Sequence, residues 1–253
     1  MIAYHHGMIE HERFASPLLE DVRLHGFAFA PGGDMRPLLS SFGELADWAA
    51  FAQSWNRLEP DPYLAAKGRF RRRRHATFSA SIIEGVVRAP HQAHYQSLQY
   101  NALQGDIQRW FEPIEADIGS GATMQAILRF CHAFFGELAP GVSRWHVETH
   151  QFRIEATAHA AGEPTPEGSH RDGVDYVLVL LVNRQNIASG TTTIHSPNGR
   201  LLGDFTLSVP LDAALIYDHG VFHGVTPVRP LHVDQPAFRD VLVVTFKAST
   251  QAP

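Results

Sequence analysis

The amino-acid sequence predicts an α+β fold in which helices back one sheet of a two-sheet β barrel or jelly roll. Apolar residues recur at helical spacing through much of the first half of the chain. From Trp145 onward the spacing changes to that of strands, which turn signals such as Asn198-Gly199 separate. We expect one domain over 1–253, with mainly helical support and an N-terminal strand in 1–144 and the β core in 145–247.

The first half of the chain is predicted to contain one strand and three helices. The strand ends at Pro31-Gly32-Gly33, and Asp34 could cap the helix that follows. The last helix carries Cys131 on its apolar stripe, so we expect this cysteine to be buried packing. The predicted elements are a strand over 24–30 and helices over about 34–55, about 95–118 and from Gly121 to before Pro140.

The second half is predicted to be strands. Two continuous apolar runs, 177–182 and 241–244, are typical of strands that are covered on both faces. The predicted strands lie at about 145–156, 175–182, 191–195, 205–209, 213–217, 221–226 and 238–247.

Composition excludes several classes of protein. The chain is 44% apolar and 19% charged with a net charge of −5, which is ordinary for a globular protein and argues against nucleic acid as the main partner. No apolar run is long enough for a membrane span, and 1–13 lacks the apolar core of a signal peptide. With a single cysteine, these features favour a reducing cytoplasm. The oligomeric state stays open.

Two histidines and an aspartate form a candidate metal site. His170 and Asp172 are two residues apart, so on an extended segment their side chains point the same way. His223 follows after several predicted strands, which can bring it back beside the first pair. Two imidazoles and one carboxylate suit non-haem Fe(II), because they leave coordination positions open. Arg239, on the last predicted strand, has a planar fork suited to gripping a carboxylate.

Spacing alone leaves alternatives open, because the chain contains 16 histidines. His219 is a rival to His223 for the third position. The pair His232 and Asp234 reads as part of a proline-flanked loop. A stronger competitor for a metal is a set of alternating residues on one strand: His146, Glu148 and His150. A non-catalytic, cupin-like metal-binding protein could use that set.

The segment from about Thr149 to Lys247 resembles the iron(II)/2-oxoglutarate dioxygenase family that includes the bacterial free L-isoleucine 4-hydroxylases. The motifs that carry the resemblance are His150-Gln151-Phe152-Arg153, His170-x-Asp172, Ser196-Pro197, Val221-Phe222-His223-x-Val225-Thr226-Pro227 and Ala237-Phe238-Arg239-Asp240. The resemblance implies a double-stranded β-helix with Fe(II) near its open mouth. It also implies that 2-oxoglutarate chelates the metal while Arg239 pairs with its distal carboxylate.

The function expected from this resemblance is hydroxylation of an aliphatic C–H bond of a small substrate, with dioxygen. A free L-amino acid is the substrate that the family favours. Two alternatives are the metal-binding protein described above and a dioxygenase that acts on a protein side chain or a natural-product intermediate.

Two pairs of residues are candidates for substrate binding. Arg71 and Arg73 alternate within the basic run 69–75, whose other interpretations are a solvated face or, less favoured, a nucleic-acid contact. Gln151 and Arg153 share one face of their strand, and His150 and Phe152 share the other. Only one of these faces can point to the site, and we expect it to be that of Gln151 and Arg153.

Overall fold

The larger of two main sheets contains eight strands, all paired antiparallel. The structure is a computed structural model that describes residues 16–65, 71–100 and 105–249. In spatial order the strands are β1 (Phe27–Ala30), β10 (Ala213–Tyr217), β6 (Tyr176–Gln185), β13 (Ala237–Ala248), β5 (Arg144–Ala156), β3 (Arg72–Ser81) and β2 (Glu59–Pro60), with β4 (Gly85–Arg88) paired to β3.

A smaller sheet faces the larger one. Its strands are β11 (Phe222–Val225), β8 (Thr191–His195) and β9 (Leu201–Thr206), and β12 (Val228–Pro230) pairs separately with β7 (Ile187–Ser189). Buried residues of both sheets, including Val177 and Ile194, form one apolar cluster between them. The predicted jelly roll is therefore confirmed, although the described strands form separate facing sheets rather than a closed barrel.

Helices cover the other face of the larger sheet. They are α1 (16–25), α2 (Gly32–Ser40), α3 (Trp48–Gln53), a 3-10 helix (Ser54–Arg57), α5 (Ala116–Ser120) and α6 (Ala122–Leu138). The short helix α4 (Pro62–Ala65) instead lies at a cavity between the two sheets, which its Leu64 lines. The main core joins the apolar faces of the other helices to alternate residues of β6 and β13, such as Leu180 and Phe246. Cys131 is buried in this core, as expected. Among the described residues no helix is long and apolar enough to span a bilayer.

Two predicted helices differ from the structure. The helix predicted over about 95–118 is wrong: its described residues form turns and isolated bridges until α5 begins at Ala116. Pro113 interrupts the helical spacing, and Ile107, which recurs at that spacing with Phe111 and Ile114, is 45% exposed. The helix predicted over 34–55 is divided between α2 and α3. The strand predicted over 205–209 lies earlier, at Leu201–Thr206.

Strand β13 is central, since it pairs with β5 on one side and β6 on the other. Arg239 lies opposite Ile154 on β5 and opposite Arg184 on β6. The register with β6 shifts by a bulge next to Asp240, so Val182 has no partner on β13. β13 itself keeps an unbroken alternation of its two faces.

Candidate metal centre and adjoining cavity

His170 and His223 lie side by side because their backbones are paired. The N–H of His170 donates to the carbonyl of His223 at 2.9 Å, and the reverse hydrogen bond is 3.0 Å long. The bridge joins the loop that carries His170 to β11. The two imidazole centroids are 4.6 Å apart as a result.

Asp172 completes the group by reaching both rings. Its Oδ1 lies 3.5 Å from His170 Nε2, and its Oδ2 lies 3.5 Å from His223 Nε2. One ligand atom from each residue lies within 4.8 Å of the other two. Two imidazole nitrogens and a carboxylate in this arrangement could hold a divalent transition metal.

Asp218 supports the loop that carries Asp172. Its buried carboxylate accepts hydrogen bonds from the backbone N–H groups of Asp172 at 2.9 Å, Gly173 at 2.8 Å and Val174 at 3.2 Å. Gly173 has φ +80°, and a Cβ there would lie 2.5 Å from the Tyr100 ring. Asp218 was not among the residues predicted from sequence, where its position directly after a buried strand is its one signal.

The two histidines of the candidate metal centre have pKa values shifted in opposite directions. Burial alone would lower the pKa of His170, but the carboxylates of Asp172 and Glu167 outweigh it and raise the pKa to about 9. Burial and the neighbouring His170 lower the pKa of His223 to about 4. In the metal-free protein His170 therefore carries a proton beside Asp172, and a metal that binds there must displace it.

Arg239 has donor groups that need an acceptor. Its side chain is 2% exposed, lines the same cavity as the three residues above, and has two buried nitrogens, Nε and Nη2, without a hydrogen-bond partner. An unsatisfied buried donor costs about 1–3 kcal/mol, so a carboxylate ligand suits this position. Burial and the nearby Arg184 lower the pKa of Arg239 to about 10, which leaves it charged at neutral pH.

The cavity has a volume of about 420 Å³. The larger sheet provides one wall, in which Val179, Val241 and Val243 are apolar, and the loop from Pro164 to Glu167 lies at the cavity with the three candidate ligands. A dicarboxylate that chelates the metal and reaches Arg239 fits the chemistry of these residues. Such a mixture of apolar walls and a few polar groups is typical of small-molecule sites.

A second polar cluster lies beside the cavity, which three of its members, His94, Glu148 and His150, line. Its buried members, which could also hold a metal, are His75, His94, Glu148 and His150. Of His146, Glu148 and His150, the alternative metal ligands predicted from sequence, Glu148 and His150 belong to this cluster. His146 is more exposed, with its Nε2 3.5 Å from Glu148 Oε1. His75 and His94 could not be predicted from sequence, because strand pairing brings His75 to β5 and an irregular segment brings His94 there.

Of the two pairs predicted to bind substrate, the structure places one at the cavity and the other away from it. Arg71 and Arg73 line the cavity, as expected, whereas Arg72 pairs with Glu155 outside it. The structure does not bring Gln151 and Arg153 to the cavity: Gln151 donates to Ser54 Oγ, and Arg153 pairs with Asp240. Our expectation for this face was wrong, because Ser54 of the 3-10 helix and Asp240 of β13 provide polar partners on the outer side that strand alternation cannot reveal. The residues that point inward are His150 and Phe152.

Comparison with known proteins agrees with this geometry. The chain is 31% identical over 156 residues to L-isoleucine-4-hydroxylase of Bacillus thuringiensis, a match that covers 60% of this chain and 64% of the relative. It is 24% identical over 159 residues to 3(1)-hydroxy-L-isoleucine 4-dioxygenase of Pantoea ananatis, covering 62% and 64%. The chain therefore matches slightly less than two thirds of each curated relative.

A solved structure and a family model extend the likeness to most of the chain. The crystal structure of a bsmA homologue from Methylobium petroleophilum PM1 superposes with a TM-score of 0.82 and 34% identity, covering 94% of this chain and 95% of that one. The family model described as 2OG-Fe dioxygenase matches residues 52–245, which include both polar clusters and Arg239. The resemblance inferred from the motifs is thereby confirmed, and the chain belongs to the 2OG-Fe dioxygenase family.

Proposed function

We propose that the chain hydroxylates an aliphatic C–H bond of a free L-amino acid, using Fe(II), 2-oxoglutarate and dioxygen. The reaction would convert substrate C–H, 2-oxoglutarate and O₂ into substrate C–OH, succinate and CO₂. The observation that carries the proposal is that the cluster of His170, Asp172 and His223 shares a cavity with the unpartnered donors of Arg239. Family membership supports the two cofactors.

Each of these residues has a distinct task in the proposal. His170, Asp172 and His223 would hold Fe(II), which supplies the activation of dioxygen when bound. Arg239 would pair with the distal carboxylate of 2-oxoglutarate, and its fixed fork would orient that acid. Asp218 would keep the Asp172 backbone in place while the metal exchanges. The apolar wall with Val241 and Val243 would exclude water around the reacting groups.

The substrate class rests on two supports. The curated relatives are named for isoleucine and a hydroxylated isoleucine. Arg71 and Arg73 supply guanidinium groups at the cavity wall, suited to the carboxylate of an amino acid. The proposal includes a cytoplasmic location, where ferrous iron and 2-oxoglutarate are available. It also includes a single domain over 1–253, supported by the core that the helices and the larger sheet share.

The metal and co-substrate assignments can be tested without turnover. Fe(II) and then 2-oxoglutarate are added to metal-free protein under nitrogen, and the weak visible charge-transfer band of the chelate is recorded. We expect the band in the wild type and in His219→Ala, and its loss in His170→Ala. His219 is the matched control because it pairs with Asp175 at the protein surface. A protein that binds metal tightly without the band would contradict the co-substrate assignment.

The substrate assignment needs a separate measurement. Succinate formation is followed with a panel of aliphatic L-amino acids, and we expect at least one of them to accelerate it above the rate without substrate. If the chelate band forms and no amino acid changes succinate formation, the cofactor assignment stands and the substrate class is wrong.

A further inference from the structure

Glu148 has an oxygen free to accept a ligand's hydrogen bonds. It lies on the cavity side of β5, and its Oε2 accepts from His94 Nδ1 at 2.6 Å. The groups nearest to its Oε1 are His146 Nε2 at 3.5 Å and His75 Nε2 at 3.7 Å, both too far for a good hydrogen bond. A carboxylate oxygen in this state suits a cationic donor that enters from the cavity.

Arg73 decides which nitrogen of His150 carries the proton. Its Nη2 lies 2.7 Å from His150 Nδ1, and a guanidinium can only donate, so this nitrogen must accept. The proton of the neutral ring is then on Nε2, which points to Glu148 Oε2 at 3.4 Å. A metal ion at Nε2 would have to remove that proton and leave an imidazolate. The hydrogen bond therefore disfavours a second metal in this cluster.

Arg71 and Arg73 offer donors at the same wall. In each, Nε is buried and has no hydrogen-bond partner among the described residues. Their outer nitrogens face the buried Asp61, with Arg71 Nη2 at 3.0 Å and Arg73 Nη1 at 3.7 Å from its Oδ2. Asp61 thus anchors both guanidinium groups and leaves each Nε–H without an acceptor among the described residues.

We propose that this wall binds the charged end of an α-amino acid, with Glu148 accepting from its ammonium group and Arg71 and Arg73 donating to its carboxylate. The inference deepens the proposed function and rests on it. It gives the amino acid an orientation, since the charged end lies against β3 and β5 and the side chain is left to extend toward His170 and His223 in the same cavity. Free amino acids would be selected over peptides, in which the carboxylate or the ammonium group is blocked.

The test compares ligands that differ only at the charged end. Isothermal titration calorimetry under nitrogen, with Fe(II) and 2-oxoglutarate bound, measures L-isoleucine, 3-methylpentanoate, which lacks the amine, and L-isoleucinamide, which lacks the carboxylate. We expect wild type to bind L-isoleucine at least about tenfold tighter than either analogue. L-leucine, L-valine and L-methionine are titrated in parallel.

Single substitutions separate the two contacts. Glu148→Gln should weaken L-isoleucine at least about tenfold and leave 3-methylpentanoate within about twofold, which removes the preference for the amine. Arg73→Lys should reduce the preference for the acid over the amide. The matched controls are Glu155→Gln on the same strand and Arg72→Lys on the neighbouring one, whose side chains pair with each other outside the cavity. Both controls should keep the wild-type preferences.

The outcomes distinguish this inference from the proposed function. If wild type binds 2-oxoglutarate but shows no preference for the amine, or binds none of the four amino acids, the inference is overturned while the cofactor assignment stands. The titrations are repeated without 2-oxoglutarate, so that a failure to bind the co-substrate is distinguished from a failure to bind the amino acid. The wild-type ligand series remains informative even if Glu148→Gln does not fold.

Metal content provides the final discrimination. Equilibrium dialysis against Zn(II) should give one tightly bound equivalent per chain, lost in His170→Ala and retained in Glu148→Gln. Two equivalents, of which one is lost in Glu148→Gln, would reassign the second cluster to a metal and overturn the inference.

Discussion

The Asp218 carboxylate accepts a 2.9 Å hydrogen bond from the backbone N–H of Asp172, the residue that lies between the two histidines of the candidate metal centre. Two further backbone N–H groups donate to the same carboxylate. The position of Asp172 is therefore determined by a buried side chain that reaches neither ring.

Asp218→Asn should weaken metal binding about 10- to 100-fold, the usual cost of losing a group that orients a ligand. An amide has one acceptor oxygen and one NH₂ group, so in either orientation at least one of the three backbone N–H groups loses its acceptor and faces a second donor. Competition with a chromophoric chelator measures the metal affinity. Asp212→Asn is the matched control, since Asp212 also accepts backbone N–H groups at the other end of β10. Asp212→Asn should lower the free energy of unfolding and leave the metal affinity unchanged. Equal losses of metal affinity in both variants would contradict the role assigned to Asp218.

Arg239→Ala should weaken 2-oxoglutarate binding by about 30-fold or more, because a buried charge pair that loses one partner costs about 2–5 kcal/mol. Metal affinity should remain close to that of wild type. Titration of 2-oxoglutarate into the Fe(II)-loaded protein under nitrogen measures the effect, with the exposed Arg229→Ala as the control. Unchanged 2-oxoglutarate affinity would show that a group other than Arg239 binds the distal carboxylate.

Gly173→Ala should destabilise the fold and reduce metal affinity about tenfold. The alanine would be held in a left-handed backbone conformation. Its Cβ would also lie 2.5 Å from the Tyr100 ring, which forces the ring or the Asp172 loop to move. Gly199→Ala isolates the cost of the left-handed backbone conformation from that of the steric clash. The φ of Gly199 is +83°, close to +80° at Gly173, and no atom lies within 4 Å of its Cβ position. The control should lose about 1 kcal/mol of unfolding free energy and no metal affinity. Urea unfolding and chelator competition measure the two quantities.

Asp61→Asn should destabilise the protein by about 3–5 kcal/mol at neutral pH, because it leaves Arg71 and Arg73 without their shared counter-ion. Burial alone would raise the pKa of Asp61, but the two guanidinium groups lower it below its usual value. Its stabilisation is therefore complete above the unfolded-state pKa of about 3.9 and is lost as the pH falls through the lower folded-state value.

Urea unfolding between pH 6 and pH 3 checks this sign. Wild type should lose stability at the acid end, and Asp61→Asn should lose less of it over the same range. Glu115→Gln, which removes the exposed pair with Arg57, should change the unfolding free energy by no more than about 1 kcal/mol. A steeper acid loss in Asp61→Asn than in wild type would contradict the assigned cause.

The candidate metal centre could be proposed from sequence once the family motifs were added to the spacing, which alone left other histidines and carboxylates as candidates. The spacing of His170 and Asp172 places both on one side of an extended segment, and a motif around His223 identifies the third residue. Arg239 was likewise singled out by the motif around it that carries the family resemblance. Most strands after Trp145 were predicted within a few residues, since long apolar runs leave little ambiguity.

Features that depend on packing could not be predicted. Asp218 acts through backbone groups, so nothing but its position directly after a buried strand marks it in the sequence. The inward face of β5 was assigned wrongly because Ser54 and Asp240 satisfy Gln151 and Arg153 on the outer side. Likewise His94 reaches the cavity from an irregular stretch, and the described residues of 95–100 and 105–115 form no helix although their apolar spacing imitated one.

The bulge beside Asp240 gives the two central strands unequal tolerance to changes in length. β6 absorbs the additional residue, Val182, and still returns Arg184 to a position opposite Arg239. β13 has no such irregularity, so the loss or gain of one residue between Arg239 and Val243 would turn the arginine out of the cavity. Over evolutionary time, insertions are thus expected to accumulate in β6 and its loops, while the length of β13 stays constant.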